Sequence, residues 1–357
     1  MTANKRFQSI QVLRALAALS VMFFHYRYLI NDQYPGIGDR FFGWGAYGVD
    51  LFFILSGFVI CLSAKRMGSG LSSGITFLKK RAIRILPTSY ILLFVTFLLT
   101  GAMSNFHYPD KMASFFSALT FTPFDPQHAP FYVDDSGAYG IRWTLNYELY
   151  FYIIFSACLV LKKPVLTLTA FFVLALVMLP LLAGHSITLS AEGYPFSSAR
   201  LNLFTNPVSW LFIAGVLTAK LRPTLVSLPF TLRLLSLILS LIFVVWCFTR
   251  HHFAGHGIDG SGFPLLLLFI SVVVNHDWLD PYSPRWLTFI GDISFSLYLL
   301  HTLLITGIGK HLRWTGLTEG VKGFILYSLV ALLLAALSFR FVEKPFLSRE
   351  KQLKPEI

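Results

Sequence analysis

Charge is scarce in this chain, and acidic charge is scarcest. Only 13% of the 357 residues are charged, with 17 Asp and Glu against 29 Lys and Arg. A soluble domain needs about twice that charged fraction to wet its surface, so a water-exposed globular domain is excluded. Cysteine is nearly absent: Cys61, Cys158 and Cys247 all fall in or beside apolar runs. Their spacing suits neither a disulfide framework nor a metal site, and they read as small hydrophobes. Linkers, low-complexity stretches and internal repeats are missing. So are the Gly-rich phosphate loop of NTPases and the Gly-x-Ser-x-Gly elbow of serine hydrolases. No His, Asp and Glu group has a metal-ligand spacing, and no metal is expected.

Apolar length is what the chain has. Hydrophobic residues make up 55% of it and the mean hydropathy is +0.65. Run length and flanking residues predict about ten spans of a hydrocarbon core. They lie near 10–30, 45–63, 84–101, 143–161, 164–183, 205–220, 233–249, 263–275, 287–308 and 322–341. The eighth is short. Residues 112–123 (MASFFSALTFTP) are too few to span and read as interfacial or re-entrant. The expected fold is therefore all-α: a polytopic membrane helix bundle forming one domain over 1–357.

The first span follows a small basic start, with Lys5 and Arg6, but has no small-residue cleavage site. It reads as a retained anchor with its N-terminus in the cytoplasm. Ten spans then return the C-terminus to the same side, as the Lys/Arg asymmetry also requires. Cytoplasmic segments collect Lys65, Arg66, Lys79, Lys80, Arg81, Arg84, Lys162 and Lys163, among others. The net charge of +12 thus reports orientation on an anionic leaflet and calls for membrane lipids rather than nucleic acid as partner. The long outer loops, roughly 102–142 and 184–204, are of a size that is often functional.

Ionisable residues inside spans mark function by default, because they are costly in lipid. In residues 12–30 (VLRALAALSVMFFHYRYLI), Arg14 and His25 stand eleven apart, about 16 Å along a helix. Arg14 falls near the inner face and His25 near the outer. Asp50, in 48–58 (GVDLFFILSGF), lies about six residues below the outer Trp44. Glu148, in 143–152 (WTLNYELYFY), and His301, in 293–301 (ISFSLYLLH), fall at a similar depth. His25, Asp50, Glu148 and His301 are thus expected in one outer layer of proton-active groups. The inner layer is basic: Arg81 and Arg84 in 79–87 (KKRAIRILP) share a helix face, and Arg14 lies near their level. Arginine suits bidentate phosphate recognition; interface anchoring is the plainer role for the same residues. His107, His128, His185, His251, His252, His256, His276 and His311 sit mostly in loops and read as solvated surface.

In this order, the stretches 13–25, 48–58, 81–87, 143–152, 293–301 and 341–346 (FVEKPF) resemble the acyltransferase 3 family of integral membrane acyltransferases. The Arg-x10-His pair of Arg14 and His25 is part of that likeness, and the ordered set covers nearly the whole chain. The resemblance implies a ten-helix bundle in a bacterial inner membrane. It implies transfer of an acyl group, usually acetyl, from cytoplasmic acyl-CoA to a sugar hydroxyl on the far side. The acceptor would be a cell-surface glycan or its lipid-linked precursor, with acetyl-CoA a donor substrate and no cofactor bound permanently. Arg14, Arg81 and Arg84 would hold the coenzyme A phosphates. His25 would act as general base or as nucleophile, with Asp50 or Glu148 orienting the imidazole and His301 in the same layer. Some family members carry a C-terminal extracytoplasmic esterase-like domain, which this chain is expected to lack. The residues leave room for a homo-oligomer. Buried Arg, His, Asp and Glu in a helix bundle also describe a proton-coupled transporter or a lipid-linked sugar flippase. The lack of a repeat between halves counts against that alternative.

Overall fold

The computed structural model describes residues 7–65, 67–99, 106–133, 140–305 and 316–352; Lys5, Arg6, Arg66 and His311 lie outside them. Among the described residues the regular elements are all helical. The principal ones are α1 (Gln8–Gln33), α2 (Gly48–Ala64), α3 (Leu71–Leu99), α4 (Pro109–Thr120) and α5 (Trp143–Leu159). They continue with α6 (Pro164–Leu182), α7 (Trp210–Val226), α8 (Phe230–Thr249) and α9 (Gly262–Val274). The last are α10 (Arg285–Asp292), α11 (Ser294–Leu303) and α12 (Gly320–Ser338).

Among the described residues, seven helices are long and apolar enough to cross a membrane, or eight if the pair Gly262–Val274 and His276–Tyr282, bent by 70°, is one span. The expectation of ten is met only in part, for two local reasons. Helix α5 has 17 residues, at the lower limit of length for a crossing. The ninth expected span is broken at Ile293 into α10 and α11, and its far end lies outside the described residues. Helix α4, with 12 residues, is too short to cross.

The outward faces account for the hydropathy. Leu239, Ile242 and Val245 on α8, and Leu329 and Leu333 on α12, are all at least 55% exposed. Such a continuous apolar exterior is stable against lipid tails and not against water. The chain is a multi-pass membrane protein.

Helix α1 is the centre of the bundle, packing on α2, α10, α11 and α12. Ile10, Leu13, Ala17 and Val21 join one apolar cluster, and Ala18, Met22, Tyr26 and Leu29 join the other. Lipid supplies no hydrophobic drive between helices, so close backbone approach matters. Helices α2 and α7 meet in this way. A Cβ on Gly57 would stand 2.0 Å from the Phe212 carbonyl oxygen, and one on Gly215 would stand 2.0 Å from that of Ile54. Phe53 and Phe151 close over Phe212, with ring centroids 4.8 and 4.5 Å away. This packing fixes the rotation of α2, and with it the directions of Asp50 and Ser56.

Candidate active site

Helices α1, α2, α3, α5 and α11 enclose a cavity of about 110 Å³. That is room for several water-sized groups and enough for a slender chain. Arg14, Arg81 and Arg84 all line it, together with Ser56, Glu148, Tyr152, Ser294 and Tyr298. Three basic residues from two distant stretches of sequence thus converge on one space.

The bonding of Arg81 and Arg84 is sparse. Arg81 is 7% exposed, yet its Nε has no partner, and its Nη2 reaches only the Ser63 hydroxyl at 3.5 Å. Its guanidinium otherwise rests near the rings of Phe77 and Tyr152. The Arg84 side chain makes no hydrogen bond among the described residues. Arg14 donates from Nη2 to Ser294 Oγ at 2.9 Å. Pro87, inside α3, has no N–H for the Ile83 carbonyl, which loosens the helix one turn beyond Arg84. A buried guanidinium with unused donors is costly when empty and well suited to an incoming anion.

Glu148 lies in this cavity rather than beside His25. One oxygen, Oε1, accepts from Ser56 Oγ at 3.2 Å and from the Tyr152 hydroxyl; the other makes no hydrogen bond among the described residues. Glu148 and Tyr152 are four apart on α5 and so share its face. Sequence reasoning singled out the glutamate and not the tyrosine. It also passed over Glu343, which is 2% exposed and accepts from Ser296 Oγ at 2.9 Å. Glu343 lies within electrostatic reach of Arg84 and Arg14. A π-helical turn, Phe339–Glu343, rotates it inward while Phe341 stays 68% exposed. The FVEKPF motif contained that signal, since a glutamate inside a span has no cheap outward direction.

His25 and His301 come together. His25 Nδ1 is 2.9 Å from the Val21 carbonyl and 3.2 Å from His301 Nε2. The tautomers follow from the partners. His301 Nδ1 faces the carbonyls of Tyr298 (2.6 Å) and Leu297 (3.3 Å), so it carries the proton and donates. In neutral His301, Nε2 is then an acceptor, and His25 Nδ1–H donates both to it and to Val21 O. The remaining nitrogen, His25 Nε2, keeps its lone pair and has no hydrogen-bond partner among the described residues. His25 does not line the arginine cavity, but Tyr298 does, and its ring centroid is 5.7 Å from that of His301. The cavity therefore ends one side chain from the histidine pair.

Asp50 belongs to a third place. Fully buried, it accepts from His256 Nδ1 (2.9 Å), Gly257 N (3.0 Å) and Ser261 Oγ (2.5 Å). The four groups expected in one outer layer are thus divided among three sites, and neither carboxylate touches His25. The reason is rotational: the α2–α7 contact turns Asp50 toward the 255–261 loop, and α5 turns Glu148 toward α3. Two loop histidines are likewise not solvated surface. His256 is held by Asp50, and His276 packs on Phe7 at 4.9 Å with Nε2 2.8 Å from Arg222 Nη2. Among the described residues no group of three or more His, Cys, Asp or Glu side chains is arranged to hold a metal.

Comparison with known proteins meets this geometry. The exopolysaccharide production protein ExoZ of Rhizobium meliloti is 26% identical over 314 residues, 85% of this chain and 90% of its own length. Nodulation protein 10 of Rhizobium leguminosarum bv. viciae is 27% identical over 360 residues, 94% of this chain and 92% of its own. A Staphylococcus aureus (strain COL) protein named "Putative O-acetyltransferase SACOL0978" is 28% identical over 377 residues, 94% of this chain and 56% of its own. No solved structure matches. A family model described as an acyltransferase domain matches residues 7–340, a stretch that contains every arginine of the cavity and both paired histidines, and the chain belongs to that family of membrane acyltransferases.

Proposed function

We propose that this chain transfers an acyl group, acetyl in the first instance, from acyl-CoA to a hydroxyl of a surface polysaccharide or its lipid-linked precursor. One observation carries the reading: an arginine-lined cavity with unused donors ends beside a histidine whose Nε2 is free. The phosphates of coenzyme A would lie against Arg81, Arg84 and Arg14, with the thin pantetheine arm in the cavity. The thioester would pass Tyr298 to reach His25. There the acceptor hydroxyl gives its proton to His25 Nε2 as its oxygen bonds to the thioester carbon. The C–S bond breaks, and the departing thiolate takes that proton from the imidazolium. His301 holds the reacting tautomer of His25 throughout. The exopolysaccharide and O-acetyl names of the relatives support the acceptor class and the acetyl cargo.

Labelled acetyl-CoA supplied to membranes containing the protein tests this. Label is expected in polysaccharide, and NMR of that polysaccharide locates the ester. Solute movement without acylation would overturn the reading in favour of a transporter. The accompanying orientation has both termini in the cytoplasm of a bacterial inner membrane. A reporter fused after Ile357 should then be active only in its cytoplasmic form.

A further inference from the structure

The end of the bundle that carries Trp44 and Trp143 holds a second oriented imidazole that the proposed acyl transfer does not use. His256 sits in the loop between α8 and α9, and its side chain is 14% exposed. Asp50, buried in the first turn of α2, accepts from its Nδ1–H and ties the loop down through Gly257 N and Ser261 Oγ. A carboxylate bonded at Nδ1 fixes the tautomer and leaves Nε2, across the ring, with its lone pair. His256 Nε2 makes no hydrogen bond among the described residues. Three aromatic rings surround the imidazole edge to face: Trp143 at 5.6 Å, Tyr47 at 6.0 Å and Phe131 at 6.1 Å. The Tyr47 hydroxyl also accepts from Gly255 N, so the same loop is pinned at both ends.

The position matters as much as the chemistry. Val49 and Thr144, the chain neighbours of Asp50 and Trp143, line the arginine cavity. Phe53, also in that lining, has its ring 5.8 Å from Trp143. The His256 cluster therefore adjoins the end of the cavity opposite Arg81. Apolar rings around one oriented polar group form the usual lining of a small-ligand site. Here the polar group takes a hydroxyl, and the rings suit the C–H faces of a sugar.

We propose that His256, held by Asp50 and framed by Trp143, Tyr47 and Phe131, is a binding subsite for the acceptor glycan. A sugar hydroxyl donates to His256 Nε2 while the sugar face packs on the rings. The subsite positions the acceptor and takes no part in proton transfer, which stays with His25. Its role as an acceptor site rests on the glycan acylation proposed above.

The test uses the full chain in lipid nanodiscs and oligosaccharides released by mild acid from the host's own surface polysaccharide. Binding is measured without acyl-CoA, and KM for oligosaccharide and for acetyl-CoA with it. His256→Phe keeps a ring among the aromatics and removes Nε2. It should weaken oligosaccharide binding and raise the acceptor KM about tenfold, the value of one hydrogen bond, with the donor KM unchanged. Ser261→Ala removes one loop tie, leaves His256 in place and should stay within about twofold of the parent. Unchanged acceptor binding in His256→Phe would overturn the subsite. Equal weakening in both variants would do the same, because the cluster would then only anchor a loop. Absence of binding by the unsubstituted protein overturns it as well. If His256→Phe does not insert, His256→Leu, which also removes Nε2, is judged by the same outcomes. Failure of all acyl transfer by a protein that still binds oligosaccharide through His256 would count against the reaction and not against the subsite.

Discussion

Helix α2 joins two regions that treat buried charge in opposite ways. At its first turn Asp50 has three donors on its two oxygens, including a backbone N–H and a hydroxyl. Near its last turn Ser63 makes the single long hydrogen bond to Arg81, whose Nε is left with none. About 20 Å of helix separates them. A carboxylate with all its bonds made inside the protein is a fastening, since any ligand must first break those bonds. A guanidinium with most of its donors unused is a receptor, since an anion gains bonds and breaks almost none. The histidine pair lies between these extremes: one nitrogen of His25 is fixed by Val21 and His301, and the other is open.

The sharpest way to break this comparison is at the open nitrogen. His25→Ala should lower acyl transfer about 10²–10⁴-fold, with acetyl-CoA affinity within about twofold, because the phosphates are held some 16 Å away. The rate should also fall on the acid side. A proton on Nε2 removes the lone pair that takes the acceptor proton, so activity belongs to the neutral ring and is lost as pH drops through its pKa. Near-parental transfer by the alanine variant would move the role to His301. An acyl adduct on His25, sought by mass spectrometry, would make it a nucleophile rather than a base.

The receptor end comes next in size. Arg81→Ala should weaken acetyl-CoA binding about 10–100-fold while the protein still inserts, and Arg84→Lys should lose less than Arg84→Ala. Isothermal titration in nanodiscs measures this. Unchanged affinity in both alanine variants would return the pair to interface anchoring. Glu148→Gln should lower turnover about tenfold, because it removes a carboxylate charge from the lining of the cavity where the donor would thread. Tyr152→Phe, which removes only the hydroxyl on the bonded oxygen, should cost less. A larger loss in the tyrosine variant would make Glu148 a support and Tyr152 the functional group.

The fastening should show its effect in stability before rate. Asp50→Asn keeps the size and one acceptor oxygen but loses the charge-assisted bonds, costing about 1–3 kcal/mol. Thermal unfolding in detergent should register the drop, with donor affinity unchanged. Weaker donor binding, with stability intact, would show that Asp50 belongs to the cavity after all.

The sequence brought the three arginines to one space but did not show which way the carboxylates turn, and the cause is geometric. Arg14, Arg81 and Arg84 all line one cavity, because long side chains reach a common space from several helix rotations. Asp50 is short, so its partner depends on how α2 is turned, and that is decided at the Gly57–Gly215 contact between helices far apart in sequence. His301 was legible as an intramembrane histidine; its pairing with His25 was not, because the two are 276 residues apart. His256 was hidden by its setting, a Gly-rich loop with no periodic signal.

Class, membrane setting and the presence of ionisable groups within the spans follow from composition and run length alone, because the transfer free energy of each side chain is local and additive along a helix. Membership of an acyltransferase family follows from ordered motifs, which are also linear. The count of spans and the partner of every buried ionisable group were decided only in the folded bundle. A break at Ile293 and a π-turn at Glu343 arise from tertiary packing. The direction of a side chain about its helix axis is set by the neighbours it must avoid or bond, and in a bundle those neighbours come from other parts of the chain.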